Sequence, residues 1–172
     1  MANGVAAKFR FGPLGLVCLA LSFSASAIDG ETAPTHCKSG EGVIFSCLLN
    51  TNKTVSLCAS PYLARDAGTL QYRFGQIGQR PELTYPKPTR HPRGYFSLSS
   101  SYGGLWSQHE LVFSAGQFRY EISVQTNSAI PEDGASLSVF RNPHRVARME
   151  CRFDSSINNM WMLDELGIPS HP

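Results

Sequence analysis

The chain has 172 residues, of which 16% are charged, and its formal net charge is +2. This length suits one domain rather than several. A charge balance so close to neutral excludes the strong positive field that proteins use to hold nucleic acid or anionic membranes non-specifically.

The first 27 residues have the pattern of a secretory signal peptide. Lys8 and Arg10 form a positive region, the apolar run Leu14–Phe23 follows, and Ala25-Ser26-Ala27 supplies the small residues that precede a cleavage site. The apolar run is shorter than the roughly 20 residues that a membrane span needs. We therefore expect cleavage after Ala27, a periplasmic or secreted protein, and no membrane span in the mature form.

Removal of this leader changes the charge of the chain. Without Lys8 and Arg10 the basic residues fall from 15 to 13, which equals the 13 acidic residues. The mature chain is then formally neutral, and nucleic acid is not an expected partner.

Four cysteines follow the leader, namely Cys37, Cys47, Cys58 and Cys151, and they allow three pairings. Alternation along the predicted strands points Cys47 and Cys151 inward, whereas Cys58 is out of phase with the apolar Leu57. The irregular segment that carries Cys37 can then reach Cys58. We favour the disulfides Cys47–Cys151 and Cys37–Cys58 over a structural zinc ion, because no two of these cysteines are closely spaced.

Most of the mature chain is typical of short antiparallel strands. Strands are predicted at 42–47, 55–58, 70–74, 82–85, 94–99 and 135–140, at 145–153, and in a hairpin over 109–126. About nine strands at this spacing predict an all-β domain over residues 28–153, either an antiparallel sandwich or a small barrel.

The hairpin over 109–126 allows a prediction of register. With the turn at Ala115-Gly116, the expected opposite pairs are Phe113 with Phe118, Leu111 with Tyr120, and His109 with Ile122. This register places the large apolar side chains on one face and Glu110, Arg119 and Glu121 on the other.

The C-terminal segment 154–172 is predicted to hold a short helix. Ser156 can cap a helix over 157–166, with Ile157, Met160 and Trp161 on one stripe and Gly167 as a stop signal. We expect this helix to cover an open end or an edge of the sheet. The alternative is an exposed helix that binds a partner through Trp161.

The order of several short motifs resembles a group of small, exported, largely uncharacterised bacterial proteins. The motifs are Phe45-Ser46-Cys47, Val55–Cys58, Leu70–Gly75 (LQYRFG), Glu82-Leu83 and a last strand that ends at Cys151. The similarity covers roughly residues 43–152, and LQYRFG is its most specific part. The resemblance implies a bacterial envelope location, a β-rich domain and a disulfide between the first and last strands, and it assigns no catalytic residue.

The sequence contains no established catalytic motif. A Gly-x-Ser-x-Gly elbow, a phosphate loop and a dinucleotide fingerprint are absent, and the five histidines have no zinc-protease spacing. Glu110 and Glu121 are expected to approach each other across the hairpin, as paired carboxylates do in glycosidases. A solvated pair relieved by Arg119 or Arg73 is the simpler interpretation. We therefore predict no catalytic residue, no metal and no cofactor.

A basic loop is the first candidate for partner binding. Residues 85–93 carry Lys87, Arg90, His91 and Arg93 without an acidic residue, and three prolines stiffen them. Such a loop can meet an acidic patch with little loss of conformational entropy. The alternative is a polyproline-like surface connection.

An aromatic loop is the second candidate. Residues 99–107 place Tyr102, Leu105 and Trp106 beside two glycines. Exposed aromatic side chains of this kind suit protein or sugar binding. The alternative is a loop that folds back and buries them.

Three functions follow from these patterns. The favoured one is an exported binding protein, not an enzyme, that binds and neutralises a protein partner in the manner of an inhibitor or an immunity protein. The first alternative is a module that binds envelope glycan through Tyr102 and Trp106. The second is a hydrolase that uses Glu110 and Glu121.

The export hypothesis is tested by the N-terminus of the protein isolated from its native host. N-terminal sequencing should give Ile28 as the first residue. An intact leader on most of the molecules, or a lipid on Cys18, would contradict it.

Overall fold

The computed structural model describes residues 33–129 and 134–170. Residues 1–32, 130–133, 171 and 172 lie outside this description. The predicted signal peptide and its cleavage site lie outside the described residues. All described residues belong to the second of two compact units, which spans Glu31–Pro172. Within the described part, no helix has both the length and the apolar character required to cross a membrane.

The described residues form nine strands and two short 3-10 helices. The strands are β1 (Gly42–Leu49), β2 (Thr54–Ala59), β3 (Leu70–Gly75), β4 (Leu83–Arg90), β5 (Ser97–Tyr102), β6 (Trp106–Ala115), β7 (Phe118–Asn127), β8 (Gly134–Arg141) and β9 (His144–Asn158). One 3-10 helix, Pro92–Gly94, follows β4, and the other, Met160–Leu166, is named the tail helix here.

The nine strands form a single antiparallel sheet with the order β4-β3-β2-β1-β9-β8-β7-β6-β5. The long strand β9 lies between β1 and β8 and pairs with both. Its register with β1 shifts between the pair Leu49–Cys151 and the pair Cys47–Ser156. Extra residues in one strand bend it and increase its twist. The sheet curls into a half-barrel, which confirms the all-β antiparallel class.

An aromatic layer fills the inside of the curl. Phe113 of β6 stacks on Tyr85 of β4 with ring centroids 4.7 Å apart, and on Tyr120 of β7 at 5.0 Å. The same ring meets Tyr72 at 4.7 Å and Phe96 at 5.6 Å. Strands from opposite ends of the sheet order therefore share one apolar core.

The predicted register of the β6–β7 hairpin is wrong by two residues. Phe113 pairs with Tyr120, Leu111 with Ile122 and His109 with Val124. The loop is the two-residue turn Gly116-Gln117, and Gly116 has a φ of 62°, which suits the first central position of a tight hairpin turn. A shift of two leaves every side chain on its predicted face, because side chains alternate with a period of two.

Strands β4 and β5 extend beyond their predicted bounds. β4 runs to Arg90 rather than ending at Tyr85, and β5 covers Ser97–Tyr102 rather than 94–99. β4 lies at an edge of the sheet, where a proline is tolerated because no neighbouring strand needs its missing N–H. Both predicted loops are consequently shorter than expected, and the aromatic one shrinks to residues 103–105.

The tail helix begins later than predicted, because β9 continues through Ser156 to Asn158. Ser156 is therefore not the cap; Asn158 Oδ1 accepts the N–H of Met160 at 3.1 Å. Gly167 ends the helix in the left-handed conformation, as expected of this stop signal.

The face that the tail helix buries also differs from the prediction. Its buried residues are Met160, Leu163 and Leu166, a spacing of three that matches a 3-10 helix. These side chains join the main core, so the helix covers the sheet as expected. Trp161, predicted to lie on the same stripe as Met160, is instead 61% exposed.

Two disulfides join distant parts of the chain. Cys47 of β1 is bonded to Cys151 of β9, and Cys37 is bonded to Cys58 of β2. These are the pairs favoured from the sequence. Cys47 belongs to the apolar core. The Cys37–Cys58 bond attaches the described residues before β1 (33–41), called the N-terminal segment, to the outer face of the sheet.

The Cys47–Cys151 bond should contribute more stability than the Cys37–Cys58 bond, because it closes 104 residues rather than 21. Loop entropy gives at most about 5 and about 3 kcal/mol respectively. In denaturation without reductant, Cys47→Ala and Cys151→Ala should each lower the unfolding free energy, and the double variant should lose no more than either. Additive losses, or a peptide map that joins Cys47 to Cys58, would contradict this.

Candidate functional site

The first candidate site is a cleft on the outer face of β3 and β4, named the cationic cleft here. Its volume is about 430 Å³, and it is lined by Thr35, His36, Lys38, Gln71, Arg73, Gln79, Arg80, Pro81, Thr84 and Lys87. Alternation along β3 turns Tyr72 into the core and Arg73 outward beneath this cleft.

The N-terminal segment forms one wall of the cationic cleft. Two serines that point outward from β1 and β2 hold it: Ser46 Oγ donates to the carbonyl of Pro34 at 2.7 Å, and Ser56 Oγ accepts the N–H of His36 at 3.0 Å. The Cys37–Cys58 disulfide adds a covalent attachment beside these hydrogen bonds. The wall is therefore part of the folded domain.

Arg73 forms the floor of the cleft and is almost fully buried. Its two terminal nitrogens donate to the two carboxylate oxygens of Glu41 at 2.6 and 2.7 Å, and one of them also donates to the carbonyl of His36 at 2.9 Å. Its Nε donates to Gln71 Oε1 at 2.9 Å. This network fixes the guanidinium and balances its charge.

The same network acts on Glu41. The hydrogen bond from Arg73 lowers the pKa of Glu41 below its ordinary value of 4.5, against an opposing effect of burial. Glu41 also lies close enough to Cys37 and Cys58 for the three to share a metal ion. The two sulfurs are bonded to each other, however, and thiolates are the sulfur ligands that metals take.

Three further cations surround the mouth of the cleft. Lys38, Arg80 and Lys87 are exposed, and none of them forms an ion pair with another described residue. The nearby Glu82 is bound by Lys53 at 2.7 Å. The mouth is therefore positively charged in a chain that is almost neutral overall.

The second candidate site is named the aromatic surface here and consists of Tyr102, Trp161 and Met162. These side chains are 60%, 61% and 46% exposed. With Asp164 and Glu165 they line a recess of about 410 Å³. The surface joins the end of β5 to the outward face of the tail helix.

Asp164 holds the two parts of this surface together. Ser100 Oγ donates to one carboxylate oxygen at 2.6 Å, and the Tyr102 hydroxyl donates to the other. The buried His109 places Nε2 3.0 Å from the Tyr102 oxygen and 3.4 Å from Asp164 Oδ2. Desolvation and the Asp164 carboxylate raise the pKa of Tyr102 from 10.0 to about 12, so its hydroxyl remains a donor to Asp164 in alkaline solution as well as at neutral pH.

Trp106 lies in a separate recess of about 410 Å³ at the β5–β6 turn, with Ser107, Thr126, Asn127 and Ser128 among its lining residues. A Cβ at Gly103 would fall 2.1 Å from Trp106 Nε1, so the indole packs where only a glycine allows it. The structure thus places Tyr102 and Trp106, predicted to share one loop, in two recesses.

The residues of the predicted basic loop are also divided. Lys87 lines the cationic cleft, and Arg90 is exposed at the end of β4. His91 Nε2 lies 3.1 Å from the carbonyl of Ala64, and Arg93 Nη2 contacts Asp66 at 3.2 Å and the carbonyl of Leu166 at 3.4 Å. His91 and Arg93 therefore bind neighbouring parts of the same chain.

The predicted register placed Glu110 opposite Glu121, and the structure does not. Glu110 pairs with Ser123, and Glu121 pairs with Val112. Glu121 accepts a hydrogen bond from Arg119 at 3.1 Å, which matches the simpler interpretation of a relieved carboxylate. The tight two-residue turn is the physical reason for the change.

Several residues of the two sites were not among the sequence candidates. Lys38, Glu41, Arg80 and Asp164 are the main ones. One local signal existed for the cleft, because an arginine between Tyr72 and Phe74 in a buried strand needs a partner. No local pattern connects Asp164 with β5.

No protein-family model matches the chain, and no curated protein and no solved structure is significantly similar to it. Function is therefore inferred from the residues of these surfaces and their surroundings.

The Glu41–Arg73 pair makes stability depend on pH in the acid range. Because the folded-state pKa of Glu41 is lowered, its contribution is fully present above the ordinary value of 4.5 and is lost as the pH falls through the lowered pKa. Glu41→Gln should cost about 2 kcal/mol of unfolding free energy at neutral pH. The difference between variant and wild type should shrink on acidification below pH 4.5. Glu150→Gln, which alters an exposed pair with Arg148, is the control and should change little. A Glu41→Gln deficit that stays constant with pH would contradict this role.

Proposed function

We propose that this protein is an exported binding protein that binds and neutralises a protein partner, in the manner of an inhibitor or an immunity protein. The aromatic surface of Tyr102, Trp161 and Met162 is the proposed contact. The observation that carries this proposal is the exposure of large side chains on a platform that the chain itself holds rigid.

Rigidity makes such a surface suitable for binding. Met160, Leu163 and Leu166 anchor the tail helix from below, and Asp164 ties it to β5 and His109 of β6. Tyr102 is held by its hydrogen bond to Asp164 and therefore loses little conformational entropy when a partner covers it. Tryptophan and tyrosine are also the residues most often found at the energetic centres of protein interfaces.

The scaffold suits a protein that works outside the cytoplasm. Two disulfides link the first and last strands and the N-terminal segment, and such bonds persist in oxidising compartments. A small domain with two disulfides can block a partner without changing its own shape, as many inhibitors do.

Glycan binding is the second candidate, and the recess around Trp106 favours it. An indole that is 42% exposed lies beside Thr126 and Ser128, whose hydroxyls bond to Ser107 and to the carbonyl of Leu105 and keep lone pairs that can accept from sugar hydroxyls. This recess is separate from the recess of Trp161, so substitutions can distinguish the two functions.

The proposed contact is tested with mature protein as bait in extract from the cell envelope. A partner retained by the wild type should be lost with Trp161→Ala. With the purified partner, this variant should lose about 2 kcal/mol of binding free energy, mainly through faster dissociation. The control is Val146→Ala, since Val146 is 55% exposed on the β8–β9 hairpin.

Three results would contradict protein binding at this surface. One is a partner retained equally by Trp161→Ala and the wild type. Another is retention that Val146→Ala lowers as much as Trp161→Ala does. The third is binding to purified cell wall that is lost with Trp106→Ala and kept with Trp161→Ala, which would favour the glycan function instead.

A further inference from the structure

We propose that the cationic cleft is a binding site for a carboxylate-rich polypeptide segment. This inference goes beyond the aromatic surface and does not depend on it, because the two sites share no lining residue. The occupant would be an acidic stretch of a protein, with several Asp or Glu side chains along an extended chain.

The charge of the cleft is the first argument. Glu41 neutralises Arg73, and Lys53 neutralises Glu82, so the acidic groups next to the cleft are already bound. Lys38, Arg80 and Lys87 remain without an ion pair in the described part of the chain. Lys38 also interacts with the Glu41 carboxylate, whereas Arg80 and Lys87 have no acidic partner among the described residues, and together these cations attract a ligand with several negative charges.

The preformed walls are the second argument. Arg73 is buried and joins β3 to the N-terminal segment through Glu41 and the carbonyl of His36. The Cys37–Cys58 bond holds the same segment covalently. A cleft of about 430 Å³ is within the usual size of ligand sites, and this one exists before a ligand arrives.

The polar groups of the cleft suit a peptide main chain. Gln79 and Thr84 present amide and hydroxyl groups among the cations, whereas the buried amide of Gln71 is already bonded to Arg73 and to the carbonyl of Pro86. Thr84 and Lys87 lie on β4, which is an edge strand of the sheet, so no further strand covers this side of the cleft. Main-chain amides and acidic side chains of a peptide would thus both find partners.

Other anions fit this site less well. Single-stranded nucleic acid is normally bound by aromatic side chains that stack on its bases, and no Phe, Tyr or Trp lines the cleft. A lone phosphate is usually held by converging backbone N–H groups, whereas these cations stand on long, separate side chains. Carboxylates spaced along an extended peptide can each approach a different cation of the cleft.

The test uses a fluorescently labelled peptide of alternating Glu and Gly, titrated at low ionic strength and followed by anisotropy. The wild type should bind this peptide, bind its Gln-Gly counterpart not at all, and release the acidic peptide as salt is added. Lys38→Gln, Arg80→Gln and Lys87→Gln should each weaken binding about threefold, and the triple variant about thirtyfold.

Two variants separate this proposal from general charge effects and from the aromatic surface. Arg145→Gln removes the same charge from an exposed arginine in β9 and should leave peptide affinity unchanged. Trp161→Ala should also leave it unchanged, whereas it abolishes partner binding if the aromatic surface is the contact. Failure of one proposal is therefore distinguishable from failure of the other.

Several outcomes would overturn the inference. These are no binding of the acidic peptide at low ionic strength, equal weakening by Arg145→Gln, and no weakening in the triple variant. Tighter binding of an oligothymidylate or an oligogalacturonate of equal charge would also overturn it, because the cleft would then favour nucleic acid or acidic glycan.

Discussion

Phe113 holds the two ends of the sheet together, and the rest of the structure depends on this contact. The strand order places β4 at one edge and β6 next to the other edge. Their side chains meet only because the sheet curls, which brings Tyr85 and Phe113 into a stack at 4.7 Å. Each such ring buries a large apolar area, and ring pairing adds to that stabilisation.

Both candidate sites lie on elements that this aromatic layer positions. Tyr72 and Tyr85 face inward from β3 and β4, so that Arg73, Thr84 and the cationic cleft face outward. The tail helix contributes Met160 and its buried neighbours to the same core and presents the aromatic surface on its other side. The curl of the sheet, which the Tyr85–Phe113 contact holds, thus orients both the cationic cleft and the aromatic surface.

The parts of this fold that sequence could predict are those that depend on local alternation. The period of two placed Cys47 and Cys151 inward and Cys58 outward, and it assigned the faces of β6 and β7 even though their register was wrong by two. It predicted the start of β4 but not its continuation from Pro86 to Arg90, where the prolines indicate a loop unless the strand is known to lie at an edge. The pairs Glu41–Arg73 and Asp164–Tyr102 join residues 32 and 62 positions apart, and no local pattern encodes them.

The closure by Phe113 is tested most directly by a double-mutant cycle with Tyr85. Equilibrium unfolding would be measured for Phe113→Leu, Tyr85→Leu and the double variant. If the two ends of the sheet share one core, the cycle should give a coupling free energy of about 1 kcal/mol, and each variant should unfold in one cooperative transition. Additive losses, or separate transitions for the two halves of the sheet, would contradict the account.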